Sequence, residues 1–439
     1  MWRFPKTDLD DQRLVGMVSS EQGNNIRVAI LLGAPLTKQN HERIGIPYLV
    51  RYFDVMVYDC TPWIRRSCSI EDDDVSCRCP VMSIRNEDEL VDSINLWRPH
   101  YAIDFLGFGA YTLSIVRVLA WYDVKLIVQK TGALPSPGIL LRVRGWVLNI
   151  WCKRTWSVVP DESPKIMFTP PSSEKAGLFA KVVEKVLHRM HQIRILQEMR
   201  SFPDYIGLIA GEKSNDRFTA RSKPLIWIGS NDYHTFNKVK AGYDLRIASG
   251  TVGSFILFID DCLFGAHDWA LLSIPPPVTE LEYFPALQAF FEKIELEYGI
   301  PVVIAGHPNS ENDDSYMTRM GGRGVVYGKT AALAIAASLV IIHGSTATSF
   351  AVLARKPLIS LTSMQLDRSS YGRHIRAMSF ALGSRLIFID KPNSWSKGVL
   401  RAVVNEQKYH AYESGYLRSE HSNETEPWGA LIEFINSGS

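Results

Sequence analysis

Two polar segments in the second half of the chain carry residue types suited to a phosphate group. His307-Pro308 and Ser345-Thr346 each come directly after an apolar run predicted to be a strand. In open parallel sheets, ligands bind beyond the carboxyl ends of the strands. Small hydroxyl residues at a helix start can cap the helix while backbone N–H groups face a phosphate, and an imidazole beside it can donate a hydrogen bond or a proton. Either segment alone is more typical of a structural role, but together they predict a phosphate-binding site.

Carboxylates that could serve as a general base occur in both halves. Asp260 ends a predicted strand, where it can face a cleft or cap the next turn. Glu42, Asp104 and Asp232 are further candidates in the first half, where Lys38–Arg43 is placed to meet a substrate. A base must come within hydrogen-bonding distance of the proton that it removes, so the sequence leaves the choice open.

Lys329 and Thr330, in the segment GKTAALA, invite comparison with a P-loop. The pattern G-x-x-x-x-G-K-[ST] requires glycine at the position that Arg323 occupies, so Walker-type phosphate binding is not supported. At a helix start after a strand, the pair is predicted to contact the base or ribose of a nucleotide. The alternative is a plain helix cap.

The acidic and cysteine patterns predict no metal site. Asp-x-Asp sequences occur at 8–10 and 72–74, but neither follows a strand. Cys77 and Cys79 form a C-x-C without a second close pair or a His-x-His to complete a zinc site. Helix termini and cationic side chains are therefore expected to neutralise a leaving phosphate.

Short apolar runs alternate with helical stretches along the chain. The predicted strands are Ile26–Leu32, Phe53–Tyr58, Ala102–Leu106, Lys125–Gln129, Tyr205–Ala210, Leu225–Ile228, Phe255–Ile259, Pro301–Ala305, Gly324–Tyr327, Leu339–His343, Leu358–Leu361 and Leu386–Ile389. The predicted helices are Asn40–Arg51, Glu87–Trp97, Ala110–Trp121, Ser173–Met199, Leu281–Tyr298 and Glu426–Ile435. Apolar runs that alternate with helices are typical of parallel sheets with right-handed crossovers. The predicted fold class is α/β.

The chain length predicts more than one folding unit. A chain of 439 residues suits two domains, and glycines near residue 245 mark a boundary. The predicted domains are 1–245 and 246–425. The segment 426–439 is predicted as a C-terminal helix that either caps the second domain or crosses back to the first.

The composition of the chain indicates which classes of partner it is expected to bind. A net charge of +2 disfavours nucleic acid as a partner. The sequence has neither a signal-peptide pattern nor an apolar run of about 20 residues, which predicts a cytoplasmic protein. Leu140–Arg154 interleaves basic and aromatic residues. This pattern predicts either contact with anionic headgroups at the inner face of the membrane or a core helix with a basic outer face.

The two polar segments also carry a resemblance to known enzymes. His307-Pro308 and Ser345-Thr346 are similar to the "HP" and "Ser-Ser/Thr" motifs of bacterial sialyltransferases. The longer pattern, most specific over 255–362, resembles bacterial capsule and lipopolysaccharide glycosyltransferases of the GT-B fold. The resemblance implies two Rossmann-like domains facing across a cleft, with the nucleotide in the second. It also implies that the same four residues meet the phosphate of a CMP-sugar, with His307 acting as a catalytic residue.

This chain departs from those families in one motif. Sialyltransferases carry an acidic D/E-D/E-G motif that supplies the base, normally far before the HP motif. The comparable pair in this chain is Asp260-Asp261, followed by Cys262 instead of glycine. Asp260 is therefore the leading candidate for the catalytic base, and the assignment stays open.

The resemblance assigns acceptor binding to the first domain, where Glu42, Arg43 and Asp232 are the predicted residues. The predicted function is transfer of a sugar, with a CMP-linked nonulosonic acid favoured, to a glycan or lipid-linked glycan of a surface polysaccharide. Transfer is expected to invert the anomeric centre and to need neither metal nor cofactor. The alternatives are a UDP-sugar-dependent transferase, a UDP-sugar 2-epimerase and a non-catalytic glycan-assembly protein.

Overall fold

A computed structural model describes residues 26–64, 79–106, 112–136, 205–214, 223–242, 254–264, 276–311, 313–422 and 426–438. The strands are β1 Arg27–Leu32, β2 Asp54–Asp59, β3 Val81–Ser83, β4 Tyr101–Phe105, β5 Lys125–Lys130, β6 Ile206–Ile209, β7 Leu225–Trp227, β8 Ile256–Ile259, β9 Val302–Ala305, β10 Val325–Val326, β11 Leu339–Ile342, β12 Leu358–Thr362 and β13 Arg385–Phe388. The helices are α1 Lys38–Arg43, α2 Ile46–Leu49, α3 Thr61–Ile64, α4 Glu87–Trp97, α5 Leu113–Trp121, α6 Asn231–Ala241, α7 Glu280–Tyr298, α8 Tyr316–Arg319, α9 Thr330–Ala336, α10 Thr348–Leu353, α11 Met364–Arg368, α12 Ser370–Leu382, α13 Lys397–Leu400, α14 Glu406–Tyr412 and α15 Gly429–Asn436.

The first sheet is parallel and, within the described ranges, has seven strands in the order β3-β2-β1-β4-β5-β6-β7. Val28 and Ile30 of the interior strand β1 share a core with Leu49 of α2. Ala29 and Leu31 point into the opposite core, which α4 and α5 cover. Because successive side chains of a strand alternate between faces, this arrangement buries the sheet on both sides.

The second sheet is also parallel, and its described strands follow the order β10-β9-β8-β11-β12-β13. Phe258 of β8 packs its ring against Phe291 of α7, with centroids 5.1 Å apart. The neighbouring Leu257 belongs to the opposite core, together with Ala334 of α9 and Phe350 of α10. Each such buried aromatic or aliphatic side chain stabilises the fold by about 1.5–3 kcal/mol. The predicted fold class, α/β with two Rossmann-like sheets as in GT-B proteins, is confirmed.

The twelve predicted strands are all present, with ends that move by no more than one residue. The edge strand Val81–Ser83 is absent from the sequence prediction because it is short and largely exposed, so it lacks an apolar run. The predicted helix Asn40–Arg51 is wrong as one element: Gly45 adopts a left-handed φ of 84° and divides it into α1 and α2. The predicted helix Ser173–Met199 lies outside the described residues.

Helix α15 packs in the core of the first sheet, although it follows every strand of the second. Trp428, Leu431 and Ile435 are buried there beside Ile46. The Trp428 indole lies so close to Gly45 that a Cβ on Gly45 would stand 2.4 Å from its Cε2 atom. The contact requires the absence of a side chain at Gly45.

Two segments hold the sheets together. Helix α6 contributes Phe236 to the core of the second sheet and packs against α9 and α10. A π-helical turn at Glu413–Leu417 brings the Gly415 backbone so close to Gly211 that a Cβ on Gly211 would lie 2.3 Å from it. The predicted domain boundary at 245/246 falls outside the described residues and stays a prediction.

Candidate functional site

The order of the second sheet reverses between its neighbouring strands β8 and β11. The chain proceeds from β8 to β9 and β10 on one side, and from β11 to β12 and β13 on the other. Such a switch point leaves a crevice at the carboxyl ends of the strands. The loops that reach this edge carry Asp260-Asp261 after β8, His307 after β9, and Ser345-Thr346 after β11. The topology thus brings three of the predicted segments to one edge.

Asp260 lies in a buried network beneath these loops. Its Oδ2 atom accepts a hydrogen bond of 2.5 Å from the Tyr316 hydroxyl, and the residue is 6% exposed. Burial raises the pKa of Asp260 to about 6; the bond from Tyr316 opposes this shift and the neighbouring Asp261 carboxylate adds to it. The role of Asp260 as base stays a prediction.

Asp261 ties the loop after β8 to the loop after β11. Its Oδ2 atom accepts hydrogen bonds from the Gly344 N–H at 2.8 Å and from the Tyr371 hydroxyl. Burial raises the pKa of Asp261 to about 6, whereas these two bonds lower it. Asp261 therefore fixes the start of the segment that carries Ser345 and Thr346.

His343 is a buried structural residue that directly follows β11. Its Nδ1 atom lies 2.8 Å from the Leu361 carbonyl oxygen, which can only accept, so Nδ1 carries the hydrogen. Burial lowers the pKa of His343, and in the neutral ring Nε2 accepts from the Tyr283 hydroxyl at 2.7 Å. With both ring nitrogens bonded inside the core, His343 supports the site from below.

Cys262 follows the acidic pair in a left-handed conformation, with φ 50°. This position is the one that glycine occupies in the D/E-D/E-G motif of the resembling enzymes. A left-handed backbone costs a residue with a Cβ roughly 1–2 kcal/mol, whereas glycine adopts it freely. The backbone shape of the turn explains why glycine suits this position.

Cys262→Gly is therefore expected to be more stable than Cys262→Ala, by about 0.5–1 kcal/mol in the free energy of unfolding. Both variants lose the same buried sulfur, so the difference isolates the left-handed backbone. Urea unfolding of the two variants measures it. An alanine variant as stable as the glycine variant would show that φ does not decide this position.

His307 begins the loop after β9 and is half-buried. It is the N-cap of a single 3₁₀ turn at Pro308–Ser310, and its Nδ1 atom accepts from the Asn309 N–H at 3.2 Å. In the neutral ring the hydrogen is then on Nε2. Pro308 is exposed. The Tyr327 ring covers the adjacent Gly306, and the Tyr327 hydroxyl donates to the Ser310 carbonyl at 3.0 Å, which fixes the turn.

Ser345 and Thr346 lie in a turn and not in the first turn of a long helix. Helix α10 begins at Thr348, after both of these residues, and has six residues. The Ser345 hydroxyl accepts from the Ala347 N–H at 3.2 Å, and the Ser349 hydroxyl donates to the Thr346 carbonyl at 2.7 Å. The predicted capping role of Ser345 thus applies to this turn, and a large helix dipole is absent here.

A pocket between the two sheets gathers predicted residues from both. Arg43 and Asp232 line it from the first-sheet side, and Thr346 lines it from the second. The other lining residues, which sequence analysis does not single out, are Thr131, Gly132, Ala133, Leu134, Ser230, Asn231, Ser349, Tyr416 and Leu417. The Asn231 amide donates to the Arg43 carbonyl at 2.5 Å and links α6 to α1. The sequence places these residues on separate loops, and the fold makes them one surface.

The remaining predicted residues do not line the pocket. Lys329 is exposed and is the N-cap residue of α9, but it makes no side-chain cap hydrogen bond. Thr330, half-buried, opens that helix. Glu42 is exposed at the end of α1 and does not line the pocket. The nucleotide and acceptor roles of these three residues stay predictions.

The metal and membrane predictions rest largely on segments that the structure does not describe. Among the described residues, no group of three or more His, Cys, Asp or Glu side chains could hold a metal ion. The described helices include none that is both long and apolar enough to cross a bilayer. The basic and aromatic segment Leu140–Arg154 and Cys77 lie outside the described residues, whereas Cys79 is buried in the first core.

Comparison with known proteins gives only distant similarities. No protein-family description matches the chain, and no curated protein sequence does. Among solved structures, the chain is similar to the UDP-GlcNAc 2-epimerase of Neisseria meningitidis bound to UDP-GlcNAc. The two are 10% identical with a TM-score of 0.44, and the similarity covers 94% of this chain and 99% of that chain. It is also similar to MurG of Acinetobacter baumannii, with 7% identity, coverage of 94% and 100%, and a TM-score of 0.41. At values of this size we draw neither substrate nor reaction from them.

Proposed function

We propose that this chain is a nucleotide-sugar-dependent glycosyltransferase. The donor is a CMP-linked nonulosonic acid and the acceptor is a hydroxyl of a glycan or lipid-linked glycan in surface-polysaccharide synthesis. Transfer is a single displacement that inverts the anomeric centre and uses no metal. The residues that meet the nucleotide belong to the second sheet, and those that meet the acceptor belong to the first.

One observation supports this proposal above the others. The pocket between the sheets places Arg43 and Asp232 next to Thr346, within one concave surface. A reaction between two bound substrates needs both to be held at contact distance, which a pocket shared by two sheets supplies.

The donor phosphate is assigned to the carboxyl edge of β9 and β11. His307 carries its hydrogen on Nε2 in the neutral state, which suits donation to a phosphate oxygen. The hydroxyls of Ser345 and Thr346 add neutral donors from the loop that Asp261 fixes. Lys329 and Thr330 on the adjoining loop are assigned to the base or ribose. Such preorganised donors stabilise the charge that develops on a departing nucleotide.

A carboxylate must remove the proton of the acceptor hydroxyl. Of the four candidates from sequence, Asp232 lines the pocket, whereas Glu42, Asp104 and Asp260 do not. Asp260, the leading candidate from sequence, lies beneath the loops of the second sheet. Arg43, exposed at the pocket rim, supplies a cation beside the reacting groups.

Binding of the nucleotide product tests the proposal directly. A thermal-shift panel of CMP, CDP, UMP, UDP and GDP is expected to give stabilisation by CMP, of about 2.7 kcal/mol at a concentration 100 times its Kd. The reason is that a ligand bound to the folded state alone stabilises it by mass action. No stabilisation by any of the five would contradict the proposal.

The same panel separates the alternatives. A response to UDP or UMP but not CMP would indicate a UDP-sugar donor. Release of an isomerised UDP-sugar without an acceptor would then indicate a 2-epimerase, and transfer to an added glycan would indicate a transferase.

A further inference from the structure

Of the residues that the structure describes, Asp232 is the one carboxylate that lines the pocket. It lies in the first turn of α6, whose N-cap is Ser230, and is half-buried. The Asp260 carboxylate, in contrast, accepts from Tyr316 inside the protein and does not line the pocket. A hydroxyl bound in the pocket can therefore approach Asp232 without rearrangement of the core.

The Ser349 hydroxyl belongs to the same pocket lining as Asp232. It donates to the Thr346 carbonyl oxygen at 2.7 Å, so its hydrogen is directed to the loop of the second sheet. A serine hydroxyl can also accept, so its oxygen keeps lone pairs for a protonated acid or an acceptor hydroxyl in the pocket. Its proximity also lowers the pKa of Asp232.

The charges around Asp232 suit a base. Burial raises the pKa of Asp232, while the Arg43 guanidinium and the nearby Ser349 hydroxyl oppose the shift. The guanidinium is held close to Gly132, where a Cβ would stand 3.1 Å from its Nη2 atom. The other titratable groups at this place are Tyr412 and Tyr416, and burial raises the pKa of both, so they remain neutral. Arg43 is thus the cation that opposes the effect of burial and favours the ionised carboxylate.

We infer that Asp232 is the general base of the transfer reaction, an assignment that rests on the function proposed for this chain. The acceptor oxygen forms a bond to the anomeric carbon of the donor. The bond from that carbon to the phosphate oxygen breaks, and its electron pair leaves with the nucleotide. The hydroxyl proton moves to the Asp232 carboxylate. Ser349, which shares the pocket lining and donates to the Thr346 carbonyl, is a positioning residue.

A pair of variants separates a base from a structural link between the sheets. Asp232→Asn keeps the shape of the side chain but cannot take a proton, and it is expected to lower kcat by at least about 100-fold. Ser349→Ala removes the hydroxyl that bonds to the Thr346 carbonyl and keeps the carboxylate, and it is expected to lower kcat by less than about tenfold, the equivalent of one neutral hydrogen bond. Both variants are expected to keep the thermal shift that the nucleotide gives the unmodified protein.

The other possible results of these measurements each contradict one part of the assignment. Transfer by Asp232→Asn at the unmodified rate would exclude Asp232 as the base. Equal losses in the two variants, or loss of the nucleotide-induced shift in Asp232→Asn, would show that the residue is structural. If the unmodified protein binds no nucleotide, the proposed function fails and the base assignment falls with it.

The pH profile provides an independent measurement. Because the Arg43 charge lowers the pKa of Asp232, Arg43→Met is expected to move the acidic limb of kcat/KM to higher pH. A structural role for Asp232 would leave that limb in place, and an unmoved limb would overturn the assignment.

Discussion

Replacing His307 by alanine is expected to lower kcat by about 10²–10⁴-fold, because the departing phosphate loses a hydrogen-bond donor or acid. The same change removes the acceptor that His307 Nδ1 offers to the Asn309 N–H, which costs about 1 kcal/mol of stability. Steady-state rates with the donor that the nucleotide panel identifies measure the first effect, and urea unfolding measures the second.

His307→Asn is the matched control. Asparagine is a good N-cap, so this variant restores the hydrogen bond to the Asn309 N–H and is expected to recover the stability that alanine loses. It cannot replace the imidazole, so its kcat is expected to stay as low as that of the alanine variant. Recovery of activity together with stability would show that His307 acts only through the fold of its turn.

Gly45→Ala is expected to destabilise the fold by about 2–4 kcal/mol. A left-handed backbone costs alanine about 1 kcal/mol or more, and a new Cβ at 2.4 Å from Trp428 Cε2 must displace the indole, an overpacking cost of about 1–3 kcal/mol. Gly299→Ala is the control, because Gly299 has a φ of 67° and a Cβ there would meet nothing within 4 Å. The control is expected to lose only the stability that the backbone conformation costs.

A double-mutant cycle tests whether the contact with Trp428 causes the loss of stability in Gly45→Ala. Trp428→Ala alone is expected to cost about 3–5 kcal/mol, as for other buried tryptophans. Combined with Gly45→Ala, the total is expected to be smaller than the sum, since the indole that the new methyl group would meet is gone. Strict additivity in urea unfolding would contradict the contact between Gly45 and Trp428.

The sequence predicts those features of the fold that depend on residues close together along the chain. Each buried strand is a short apolar run, and its carboxyl end locates the following loop. The sequence alone therefore assigns His307, Ser345 and Thr346 to one edge of a sheet. The sequence also contains a local indication that the first predicted helix is divided. Residue 45 is glycine, the residue type that most readily adopts a left-handed backbone.

What could not be predicted depends on contacts between distant positions. Tyr316 is 56 residues from Asp260, and Tyr371 is 110 residues from Asp261, and nothing near either tyrosine signals a carboxylate partner. Ser349 has the sequence signature of an ordinary helix residue. It lines the pocket because α6 of the other half of the chain packs against its helix, and this packing is a property of the assembled fold.

The place of α15 in the first core has a consequence for synthesis on the ribosome. All described strands of the first sheet leave the ribosome before any described strand of the second, yet Trp428, Leu431 and Ile435 of that core follow all of them in the chain. The first core therefore stays open until these residues have been made, when the second sheet already has its described strands and covering helices. Domains usually fold in the order in which they emerge. Here we expect the half that is translated second to close its core first.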